Sequence, residues 1–139
     1  PGSISKAGVP YGYNLLKKNV SEVEWLPGGC ILHKNTNLVK KNYFKFNIKK
    51  AYCEDLFHSF YLKKKNIKLL VDPKIRCEYE NFKGFSSLNY KEALVLLLED
   101  LKIRFFFILL VKKNIIRMIF FYCILFLRLN IIFLKKIFK

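Results

Sequence analysis

A chain of 139 residues is long enough for one modest core, and one domain is the expected count. Its 53 % hydrophobic content excludes a disordered basic tail, and 26 Lys and Arg against 10 Asp and Glu give a formal net charge of +16. Such a field attracts nucleic acid, anionic lipid or phosphorylated substrates, but the cations are scattered in short runs such as Lys17-Lys18, Lys49-Lys50 and Lys63-Lys64-Lys65. No helix-turn-helix, RNP-like or zinc-finger pattern accompanies them, so nucleic acid is not the expected partner.

Residues 1–22, rich in Gly, Pro, Ser and Asn, read as an irregular lead-in without the apolar run of a signal peptide. No initiator Met opens the chain, which reads as a fragment or processed product. VEWLPGGCILHK, 23–34, sets a Pro-Gly-Gly turn between two apolar pieces, with a strand or buried turn expected at Ile31 and Leu32. Loop and short helix are expected over 35–50. From Cys53 to Lys65 the pattern is helical: Leu56, Phe57, Phe60 and Tyr61 share one apolar face, and Asn66 is the expected stop. IKLLVDP, 67–73, reads as a strand ended by Asp-Pro, IRCEYE, 75–80, as a second, and NFKGFSS, 81–87, as a break. Asn89 is placed to cap a helix starting near Tyr90, with Glu92 as the reciprocal acid of a capping box. The four cysteines, Cys30, Cys53, Cys77 and Cys123, lie far apart without metal-ligand spacing and read as reduced thiols.

A composition boundary falls near residue 88. Residues 1–88 read as one unit and 89–139 as an apolar, basic helical tail with no acid after Asp100. The longest unbroken apolar run is MIFFYCILFL, 118–127, and a 20-residue span admits Arg117, Arg128 and Asn130. On one continuous helix Lys102, Lys113, Arg117, Arg128 and Lys135 fall in a sector of roughly 80°. Alternatively, Lys112-Lys113-Asn114 breaks the segment into a hairpin. In-plane membrane association with cations reaching anionic headgroups is the first expectation, a true span the second and a buried helical core the third.

Glu54 and Asp55 are adjacent acids in an acid-poor chain. One reading is local: acids in a helix's first turn and Lys63 to Lys65 in its last both complement the macrodipole. The other comes from the surroundings. Trp25, Gly28 and Gly29, then Glu54-Asp55 opening a helix, then Asn66 and the Ile67–Pro73 strand, resemble in order and spacing the C-terminal half of family 2 glycosyltransferases. The resemblance covers about residues 8–80.

It implies an α/β fold, the C-terminal fragment of an inverting GT-A-type transferase domain followed by the apolar tail. It implies Asp55 as the base that takes a proton from the acceptor hydroxyl, with Glu54 positioning it or the acceptor. Gly28 and Gly29 would let backbone approach the sugar. Trp25 would offer a flat surface to a pyranose, or serve as a core aromatic. The implied partners are a nucleotide-sugar donor and a glycan or lipid-linked acceptor, as in polysaccharide or cell-envelope biosynthesis, with peripheral or monotopic placement on the cytoplasmic face of a membrane. A divalent metal, Mg or Mn, is expected for the family, but its Asp-x-Asp motif does not occur in these residues. No His follows Pro73 in KIRCEYE, where many members complete the metal shell. Glu78 or Glu80 could supply an oxygen ligand there, but an ordinary strand acid is the first expectation for each. His58 reads as an ordinary helix histidine, and His33 is not expected to be a ligand.

Overall fold

The computed structural model describes residues 2–12, 19–27, 31–34, 36, 46, 53–75 and 88–137. Two two-stranded antiparallel sheets and three helices form the described fold. In chain order they are β1 (Ser3–Ile4), β2 (Pro10–Tyr11), β3 (Ser21–Glu22), α1 (Glu54–Lys64), β4 (Leu70–Val71), α2 (Tyr90–Val111) and α3 (Ile115–Ile137).

The lead-in is not irregular. β1 pairs with β2, Ser3 opposite Tyr11 and Ile4 opposite Pro10. The turn between them closes through Ser5 N–H to the Val9 carbonyl at 2.9 Å and Gly8 N–H to the Ser5 carbonyl at 3.0 Å. Gly8 sits at φ +72°, a conformation open to a residue without Cβ. β3 pairs with β4 from far along the chain, Ser21 opposite Val71 and Glu22 opposite Leu70. The two sheets are joined where Glu24 N–H donates to the Gly2 carbonyl at 2.8 Å and the Glu24 carboxylate accepts from Ile4 N–H. These strands are two residues long, too short for alternation to announce them.

α1 begins and ends as its sequence requires. Asn66 follows it at φ 59°, with Asn66 N–H bonded to the Lys63 carbonyl and Ile67 N–H to the Leu62 carbonyl. That is a Schellman closure, and Ile67 packs against Leu62 as the motif's apolar contact. Leu56, Phe57, Ser59 and Leu62 are buried, while Phe60 and Tyr61 pack against the core at its margin. The expected strand at 67–73 shrinks to β4, after which Asp72 turns the chain by accepting from Lys74 N–H at 2.9 Å. Ile31 and Leu32 form no strand: residues 31–34 carry no regular structure and Leu32 is 88 % exposed. The strand expected at 75–80 and the break at 81–87 lie, but for Ile75, outside the described residues.

α2 starts with the full capping box: Glu92 N–H donates to Asn89 Oδ1 at 2.9 Å and Asn89 N–H to Glu92 Oε2 at 3.0 Å. Its end decides between one long helix and a hairpin. Lys112 takes the left-handed conformation, its N–H bonds the Leu109 carbonyl, and Lys113 N–H bonds the Ile108 carbonyl. Asn114 Oδ1 then accepts from Arg117 N–H at 3.0 Å and starts α3. The five-cation sector of a continuous helix therefore does not form. Lys102 stays on α2, Lys113 lies in the turn, and only Arg117, Arg128 and Lys135 remain on α3.

α2 is the central element. Ile103 and Phe107 pack against Leu56 and Phe57 of α1, with the Phe57 and Phe107 rings 5.3 Å apart. Ile108 packs against Met118 and Tyr122 of α3. A third cluster, Val23, Leu62 and Leu69, fixes α1 to the β3–β4 sheet. The hairpin turn is tied to the N-terminal sheet, Asn114 N–H donating to the Lys6 carbonyl at 3.0 Å.

Candidate functional site

The start of α1 carries the acids that the sequence singles out. Cys53, at φ 59°, precedes it without a side-chain cap, and its carbonyl accepts from Leu56 N–H and Phe57 N–H. Asp55 Oδ1 also accepts from Leu56 N–H at 2.9 Å, sharing that helix N–H with the Cys53 carbonyl. Glu54 is exposed, whereas Asp55 is half-buried. Burial raises the Asp55 carboxyl above its ordinary value. Neighbouring Glu54 pushes the same way, and the Leu56 N–H opposes. The acids of the first turn and Lys63 and Lys64 of the last complement the helix dipole.

Trp25 reaches the same helix from the other side of the chain. It is half-buried against the Leu56–Phe57 cluster, which makes it part of the core margin. Next to it, Leu26 N–H donates to Ser59 Oγ at 2.9 Å, and Ser59 is fully buried. Ser59 lies four residues beyond Asp55, on the same face of α1 and one turn below it. The chain then enters Gly28 and Gly29, which lie outside the described residues. Three cavities among the described residues, of about 370, 420 and 250 Å³, are lined by neither Asp55 nor Trp25.

His58 of α1 meets His33 with Nε2 atoms 3.0 Å apart and rings edge to face. Burial and the neighbouring imidazole both lower the His58 pKa. Among the described residues no group of three or more His, Cys, Asp or Glu converges to hold a metal ion. Glu78 and Glu80 lie outside the described residues.

A polar cluster that the sequence did not single out lies behind the acids. The Arg104 guanidinium, 9 % exposed, donates to the Gly8 carbonyl at 2.8 Å, to the Tyr122 hydroxyl at 2.8 Å and to Asp100 Oδ1 at 2.9 Å. The Tyr122 hydroxyl in turn donates to Asp100 Oδ2, and the Cys53 thiol donates to Asp100 Oδ1 at 3.2 Å. One ion pair thus joins the N-terminal turn, the start of α1 and both helices of the hairpin. Burial pushes the Cys53 thiol far up, which leaves it an inert donor. Burial disfavours the charge on Arg104, but the Cys53, Asp100 and Tyr122 groups facing it outweigh that and raise its pKa. The available signal was an Asp and an Arg at i, i+4 inside a strongly apolar segment, a spacing that usually marks a solvated face.

Comparison with protein-family models, with curated proteins and with solved structures finds no match.

Proposed function

We propose that this chain is the acceptor-side part of an inverting, nucleotide-sugar-dependent glycosyltransferase acting on a glycan or lipid-linked acceptor, with Asp55 as base. The observation that carries the reading is the seating of Trp25 and Leu26 against α1, Trp25 on the Leu56–Phe57 cluster and Leu26 N–H donating to Ser59 Oγ. It sets Leu26, next to Trp25, one turn from the Glu-Asp pair, and the family resemblance rests on that pair and on the stretch that Trp25 opens. The raised pKa of Asp55 suits the role, because a more basic carboxylate accepts a hydroxyl proton more readily.

In the proposed step the Asp55 carboxylate takes the proton of an acceptor hydroxyl as its oxygen bonds to the anomeric carbon. The bond from that carbon to the nucleoside diphosphate breaks, and the leaving group carries away the electron pair. Glu54, exposed beside it, positions the acceptor. Nucleoside diphosphate release from a panel of nucleotide sugars, wild type against Asp55→Asn, tests the reading in a protein carrying the donor-binding half. Equal release would leave the acids as helix-end charges.

A second reading, a non-enzymatic membrane-associated basic helical module, is favoured by the hairpin itself. α3 is long and apolar enough to cross a membrane, and only 17 % of that stretch is buried.

A further inference from the structure

The residues of α3 divide into three lengthwise sectors. Met118, Tyr122 and Leu129, all buried, fall within roughly 40° of one another by the 100° per residue of an α-helix, on the side packed against α2. The next sector, an arc of roughly 160°, is apolar and exposed but for Asn130, whose amide bonds the Tyr90 hydroxyl and the Phe126 carbonyl; in it Ile116 is 78 %, Phe120 67 % and Leu127 61 % exposed. Arg117, Arg128 and Lys135 come last, within roughly 20° of one another along one edge of that arc. No acid occurs anywhere in the sequence after Asp100.

We propose that α3 lies in the plane of an anionic membrane surface. Its apolar arc enters the boundary between headgroups and acyl chains, and Arg117, Arg128 and Lys135 form a row that pairs with lipid phosphates. Charge complementarity decides the occupant. A second copy would set two cationic rows and no acid of α3 against each other, whereas an anionic bilayer supplies both the apolar phase and the counter-charge. The row decides the orientation. In a span Arg128 would sit roughly 3 Å from the middle of the helix, at the costliest depth for a guanidinium. In the plane all three cations stand at one level, where their stems lie along the arc and their heads reach water. The inference rests on the hairpin and not on Asp55, so its failure leaves the catalytic reading standing.

Flotation of the full chain with phosphatidylcholine vesicles, with and without phosphatidylserine, tests the charge. Binding should require the anionic lipid and weaken with salt. Replacing Arg117, Arg128 and Lys135 together by Gln should weaken it roughly a hundredfold, about fivefold for each cation. Depth-dependent quenching by brominated lipids tests the orientation, with Ile116→Trp, Cys123→Trp or Leu134→Trp placed singly in a Trp25→Phe background. All three exposed positions should report one shallow depth. In a span, position 123 would lie roughly 10 Å deeper than position 116. Graded depths, binding indifferent to phosphatidylserine, or a lipid-free dimer that shields position 123 would each overturn the proposal. The lipid and salt dependence of the wild-type chain decides even where a variant fails to fold.

Discussion

Arg104→Met is the most demanding test of how the described fold is held together. The side chains of Arg104 and Asp100 are only 10 % and 22 % exposed, and the guanidinium bonds three segments at once. Its loss strands an ionised Asp100, the Gly8 carbonyl and one acceptor site of the Tyr122 hydroxyl. Breaking a buried pair by removing one partner costs about 3–5 kcal/mol. Tyr122 and Cys53 still donate to Asp100, so the low end, about 3 kcal/mol, is expected. Adding Asp100→Asn should recover about 1 kcal/mol or more, because the stranded charge is then gone. The chain has one Trp, Trp25, and it packs on the α1–α2 core. Urea unfolding followed by its fluorescence, in a mild detergent, therefore reads the loss directly. An Arg104→Met variant within about 0.5 kcal/mol of wild type would refute the claim that this pair joins the segments.

Two further outcomes follow from the same contacts. In Gly8→Ala a Cβ would meet Ile108 Cδ1 at 2.6 Å from a backbone at φ +72°, and Ile108 is fully buried, so a loss of about 1–3 kcal/mol is expected. Ile108→Val removes that methyl, and the double variant should cost less than the sum of the singles; strict additivity would show that the contact is not made. Folded Asp55 holds its proton more tightly than an unfolded aspartate does. Its contribution to stability is therefore greatest below the ordinary carboxyl pKa and is lost as pH rises through its folded value. Asp55→Asn should accordingly gain on wild type, in unfolding midpoints, as pH rises above the ordinary carboxyl pKa, the gain levelling off once pH passes the folded value. Parallel curves would place the carboxyl in solvent.

Much of the helical frame was legible because its signals are local. Asn89 and Glu92 form the expected capping box, and Asn66 ends α1 because asparagine tolerates the left-handed turn there. The break at Lys112-Lys113-Asn114 was open, because lysine rarely takes the left-handed conformation; the packing of Ile108 on Met118 and Tyr122 accompanies the closed form. The N-terminal strands were not legible. They are held by Glu24 and Gly2, far away or featureless in sequence, and not by an apolar pattern. Of the candidate site, Asp55 and Trp25 do fall on packed neighbours, yet nothing in either residue's own sequence pattern required that. Arg104 reads locally as half of a surface pair, and its burial depends on the approach of Gly8 and Tyr122.

Everything proposed about chemistry converges on the Asp55 carboxylate, and its direct measurement is sugar transfer by Asp55→Asn in the protein supplied with a donor-binding half. General-base loss should cut nucleoside diphosphate release by about 10²–10⁴-fold while the Trp25 unfolding curve shows a fold at least as stable as wild type. Release at the wild-type rate from an equally folded variant would contradict the account and leave Glu54 and Asp55 as the charged end of a helix.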